Sequence, residues 1–162
     1  MPLPFMLFLL LLAWLLQSSF LELIAVAGVK PDLVMLIIVL YGFLLGPKEG
    51  AFLGYTGGLM EDLIFGQYIG LSALSNMVAG FLAGVAGEKL YRENILVASV
   101  VTFFVTLAGL LVNYLLLYFL DLHVSPSALV RVVLPAALYT SILAPFIFGR
   151  IFRYMQVRGK DL

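Results

Sequence analysis

Long apolar runs, broken only by short charged clusters, leave this chain few ways to fold. From Phe5 onward the runs are separated by Lys30-Pro31-Asp32, Gly46-Pro47-Lys48-Glu49, Glu88 to Glu93, Asp121 to Ser127 and a basic tail. A bilayer core about 30 Å thick needs about 20 apolar residues of helix to cross it. These runs use nearly all of the 162 residues, so no length remains for a soluble domain of about 50 residues. Composition agrees, at 64% hydrophobic and 11% charged with a mean hydropathy of +1.15. The absence of cysteine excludes thiol catalysis and thiolate metal sites, and a single histidine argues against a histidine metal centre. No metal and no cofactor is expected.

The expected fold is all-α: one polytopic domain over residues 1–162, with six spans at about 5–27, 32–45, 50–65, 71–87, 95–120 and 128–154. The first run is counted as a span because it lacks the basic start of a secretory signal, although Ala25-Val26-Ala27 has the form of a cleavage site. The second run is short for a crossing, so it must extend through its caps, stand untilted or lie partly inside the bundle. The sixth is expected to bend at Pro135 and Pro145. Six spans put both termini on one side. Seven of the nine bases (Lys48, Lys89, Arg92, Arg150, Arg153, Arg158 and Lys160) share that side, which makes both termini cytoplasmic by the positive-inside rule. The basic tail is placed to attract anionic lipid headgroups.

Glycines recur at intervals of four at Gly42, Gly46, Gly50, Gly54 and Gly58, with Gly57 added. Small residues at that spacing let helix backbones touch in lipid. At about 100° per residue, Gly57, Gly58, Glu61 and Asp62 lie near the line of Gly54, so the packing face and the acidic face of the third helix coincide. The fourth helix offers Asn76, Gly80 and Gly84 on one small face, and the two helices are expected to pack there. The fifth aligns Thr102, Thr106, Gly109 and Asn113 in a polar stripe expected to face inward as packing glue.

Glu22, Asp32, Glu61, Asp62 and Arg131 all fall toward the outer ends of their helices. Carboxylates in a bilayer are disfavoured by about 2.5–3.5 kcal/mol and need a reason to be there. Three readings stay open: an internal ion pair that holds helices in register, a docking site for another protein's helix, or a cavity for a small substrate. No catalytic residue is assigned. Ser72 lacks a Gly-x-Ser-x-Gly setting, His123 stands alone in a loop, and adjacent Glu61 and Asp62 point about 100° apart. No phosphate-binding loop or nucleic-acid patch is present.

The segments Lys30-Pro31-Asp32-Leu33-Val34, Gly46-Pro47-Lys48-Glu49-Gly50, Gly58-Leu59-Met60-Glu61-Asp62-Leu63, Gly70-Leu71-Ser72-Ala73-Leu74, Gly80-Phe81-Leu82-Ala83-Gly84 and Tyr91-Arg92-Glu93-Asn94 follow in an order and spacing that resembles the bacterial rod shape-determining MreD family. Ser72 departs from that pattern, where the family has asparagine. The resemblance implies a non-enzymatic cytoplasmic-membrane scaffold of the side-wall peptidoglycan elongation complex. It implies association with MreC, a single-span envelope protein, within a complex that includes MreB, RodA and a penicillin-binding transpeptidase. The family is also similar in fold to the S components of vitamin transporters, so a substrate-binding S component is the alternative. Such a component would present alanines four apart on its first helix, whereas Ala13, Ala25 and Ala27 here are not so spaced.

Overall fold

The computed structural model describes residues 3–19, 32–64, 69–90, 93–120, 127, 131 and 133–160. Among them all regular structure is helical: α1 Leu3–Ser19, α2 Leu33–Leu45, α3 Pro47–Ile64, α4 Leu71–Lys89, α5 Ile95–Phe119 and α6 Leu134–Lys160. Three stretches, Leu71–Lys89, Ile95–Phe119 and Leu134–Tyr154, are long and apolar enough to cross a membrane. The expected continuation of the first helix to residue 27, Glu22, and the loop bearing His123 lie outside the described residues.

α2 is the centre of the bundle. Every residue from Val34 to Leu44 is buried, and a helix that is apolar all round belongs inside its neighbours. Its shortness is explained by that placement. Asp32 caps its start, the side chain accepting from the backbone N–H of Met35 at 2.9 Å. Gly46 closes its end with φ +128°, a conformation that L side chains rarely adopt, and donates its N–H to the Gly42 carbonyl at 2.9 Å. Pro47 then opens α3, three residues ahead of the expected start. A first helical position suits proline because its missing N–H would have no intrahelical partner.

α6 starts at Leu134 directly behind π-helical residues 131 and 133, so Pro135 stands at the junction of a π-type turn and the α-helix. A π-type turn is a recognised place for a helix to bend, and Pro145 is the proline inside α6 itself. α1, α2 and α6 meet in aromatic contacts. Phe5 stacks on Tyr154 with centroids 4.3 Å apart, and Phe148 sits edge-on to Phe43 at 6.4 Å. The outer faces are apolar: Leu96 is 76% exposed and Phe146 73%. On α5 the polar stripe faces inward, with Thr102 and Thr106 buried and Gly109 against Met35 and Ala79.

α3 and α4 share the most extensive interface. A Cβ on Gly50 would strike the carbonyl of Gly80, one on Gly54 that of Asn76, and one on Gly58 that of Ser72. Each step of four up α3 is matched by a step of four down α4, as antiparallel helices in backbone contact require. The seam continues past the turn, where Gly84 backs onto Gly46 and Pro47, and Gly87 onto Phe43. Gly57 is not on this seam. Its neighbours are the side chains of Leu10 at 3.3 Å and Ile38 at 3.4 Å, on α1 and α2.

Candidate functional site

The seam carries the acids to one end of the bundle. Asp62, in the last turn of α3, is 3% exposed yet fully engaged. Its Oδ2 accepts from the backbone N–H groups of Gly70 at 2.9 Å and Ala73 at 3.2 Å, and its Oδ1 accepts from Ser72 at 3.2 Å. These are first-turn donors of α4, which have no partner inside their own helix. Gly70, at the N-cap of α4 with φ +105°, has no side chain to serve them. Asp62 therefore caps α4 from α3. A negative charge at that position also meets the positive end of the helix dipole.

Asp32 performs the ordinary version of the same task at α2, and its backbone N–H donates to Thr140 Oγ1 at 3.1 Å. Thr140 in turn donates to the Ala136 carbonyl at 2.7 Å, which fixes the start of α2 against the first turns of α6.

Glu61 is less well served. It is half-buried, and the hydrogen bond described for it comes from Asn76 Nδ2 at 3.4 Å, near the limit of a real contact. Asp32 and Asp62 are within electrostatic reach of it. Beside Asn76, Ser75 donates to the Leu71 carbonyl at 3.0 Å and accepts from Asn113 Nδ2 at 3.4 Å, linking α5 to the same end.

The structure thus brings together Asp32, Glu61, Asp62 and Asn76. Arg131 is exposed, and none of the hydrogen bonds described for the three acids reaches it. Among the described residues no group of three or more histidine or acidic side chains is arranged to hold a metal ion. Two features escaped the sequence reading. One is the cap that Asp62 supplies, whose signal was a helix opening on Gly70 with no capping side chain of its own. The other is the burial of Trp14, 5% exposed and part of the hydrophobic core.

Compared with models of protein families, residues 1–158 match the one described as rod shape-determining protein MreD. No curated protein and no solved structure matches the chain.

Proposed function

The chain belongs to the MreD family, a family of shape-determining membrane proteins, and from that premise we propose a non-enzymatic scaffold of the side-wall peptidoglycan elongation complex. In this reading the bundle crosses the cytoplasmic membrane six times with both termini cytoplasmic. Its acidic end faces outward, and its surface takes the single membrane span of MreC. MreB, RodA and a penicillin-binding transpeptidase complete the assembly.

The observation that carries the scaffold reading is the state of Asp62. A catalytic carboxylate needs a free oxygen aimed at a substrate, whereas both Asp62 oxygens are taken by backbone amides that set α4 on α3. With those helices in backbone contact along the glycine seam, the hairpin is built to stay in one geometry. A rigid framework with one under-used acid at its rim suits recognition better than chemistry. α1 supports the same reading, since Phe8, Leu11, Leu12 and Leu15 are exposed, a bulky face rather than the small-residue stripe of an S component.

The test is recovery of MreC with the tagged protein from its own membranes in mild detergent. Recovery at comparable stoichiometry, lost together with rod shape in the double variant Glu61→Gln, Asp62→Asn, supports the proposal. Normal shape and full partner recovery in that variant would sink it.

A further inference from the structure

At the corner between α4 and α5, far from the acidic end, the surface is hollowed in two adjoining parts. Leu90 ends α4 in an extended conformation, its N–H donating to the Ala86 carbonyl at 2.9 Å. Asn94 caps α5, its Oδ1 accepting from the N–H of Leu96 at 2.9 Å. Beside them lies an apolar groove of about 320 Å³, lined by Leu90, Leu96, Val97, Val100 and Val101. A second hollow of about 550 Å³ is lined by Glu93, Asn94, Ile95 and Leu96. Leu96 forms a wall of both, so the two are continuous across it.

The two parts differ in depth and in chemistry. The groove runs along the outer side of α5, where Leu96 and Val100 are exposed one turn apart, while Ala98 and Thr102 are buried on the other side. It lies within Ile95–Phe119, a stretch long and apolar enough to cross a membrane, and therefore opens toward hydrocarbon. The hollow lies at the start of that stretch, where the charged break between α4 and α5 meets water. A molecule that fills both must be apolar below Leu96 and polar above it. The polar end is specified further. Glu93 is exposed and has no hydrogen bond or ion pair among the described residues, so it offers a free carboxylate to a cation. Asn94 has its Oδ1 committed to the α5 cap, which leaves its Nδ2 hydrogens to donate. Lys89, exposed and next to the groove residue Leu90, supplies a positive charge.

We propose that this corner holds a phospholipid with a phosphoethanolamine head, one acyl chain lying in the groove and the head in the hollow. The ammonium pairs with Glu93, and the phosphate accepts from Asn94 Nδ2 and faces Lys89. Charge of both signs is what selects this head. A head that carries a phosphate without an amine would set its negative charge against Glu93, with Glu88 exposed at the same corner and no cation to offset them. An amine without an acyl chain would leave the groove unfilled. Hydrocarbon touches every outward helix face of a membrane protein, but only here is an apolar groove joined to a hollow with an unpaired acid. The inference goes beyond the scaffold reading and does not depend on MreC.

The experiment offers the full-length protein, washed free of lipid in mild detergent, equal amounts of phosphatidylethanolamine and phosphatidylglycerol with the same acyl chains, and reads the retained lipid by native mass spectrometry. The unaltered protein is expected to retain phosphatidylethanolamine about tenfold better, the effect of one charge-assisted hydrogen bond. Glu93→Gln is expected to erase that preference and leave the lipid-free thermal midpoint unchanged, while Glu93→Asp keeps part of it. Val100→Trp fills the groove from an exposed position and is expected to remove retention of both lipids. Equal retention of the two lipids by the unaltered protein overturns the inference, as does a preference that survives Glu93→Gln. A photo-crosslinking residue in place of Val100 gives an independent reading in native membranes: capture of phospholipid supports the proposal, and capture of a protein instead assigns the groove to a partner and overturns it.

Discussion

At the scale of the residue, the two adjacent acids separate into different jobs. Asp62 serves three backbone donors, and asparagine in its place would turn an N–H group toward donors that need an oxygen. Asp62→Asn is therefore expected to lower stability by about 1–3 kcal/mol, read as a fall in the thermal midpoint in detergent. Glu61→Gln keeps an acceptor for Asn76 and is expected to stay within about 1 kcal/mol of the unaltered protein. Equal effects of the two changes would refute the division. The position of both acids was legible in the sequence, because carboxylates inside an apolar helix stand out. Their roles were not, since the partners of Asp62 are backbone amides eight to eleven residues on, which leave no side-chain signature. Arg131 had looked a natural partner by depth alone, yet depth along a helix says nothing of direction around it.

At the scale of the element, glycines that look alike in sequence do three different things. Gly54 is there for clearance: a Cβ would meet the carbonyl carbon of Asn76 at 2.6 Å and the Cα of Met77 at 2.9 Å, atoms of a backbone that cannot step aside. Gly54→Ala should force α3 and α4 apart and cost about 1–3 kcal/mol, as overpacking does. Gly57→Ala meets only the mobile ends of Leu10 and Ile38, and the better helix propensity of alanine, about 1 kcal/mol, is expected to leave the protein as stable or slightly more so. Gly70 faces open space, but its φ of +105° would strain any other residue, so Gly70→Ala is expected to cost about 1–3 kcal/mol without any clash. Thermal midpoints of the three variants would show the ranking, and destabilisation by Gly57→Ala equal to that by Gly54→Ala would contradict it. The four-residue spacing disclosed the seam between α3 and α4. The separate allegiance of Gly57 was hidden, because a helical wheel gives directions without saying which neighbour stands in each.

At the scale of the whole molecule, helix order was readable from apolar runs and their charged breaks, while the interior position of α2 was one of three readings that its shortness left open. Its uniformly apolar sequence suits lipid or protein equally, and only the ring of neighbours makes it core. Topology is where this matters most, because α1 and α2 are short and α3 carries charge, so length and composition alone mark only α4, α5 and α6 as able to cross. The proposed six-span arrangement requires α3 to cross as well. Its glycine seam follows α4 for most of its length in antiparallel register, so if α4 spans the membrane, the exposed residues Lys48 and Ile69 must lie toward opposite faces. The chain has no cysteine, which allows single cysteines to report this without background. Ile69→Cys is expected to react with a membrane-impermeant maleimide in right-side-out spheroplasts, whereas Lys48→Cys and Glu93→Cys react only after lysis. Reaction of Lys48→Cys and Ile69→Cys from the same side would mean that α2 and α3 enter and leave through one face, and the six-span arrangement would fall with it.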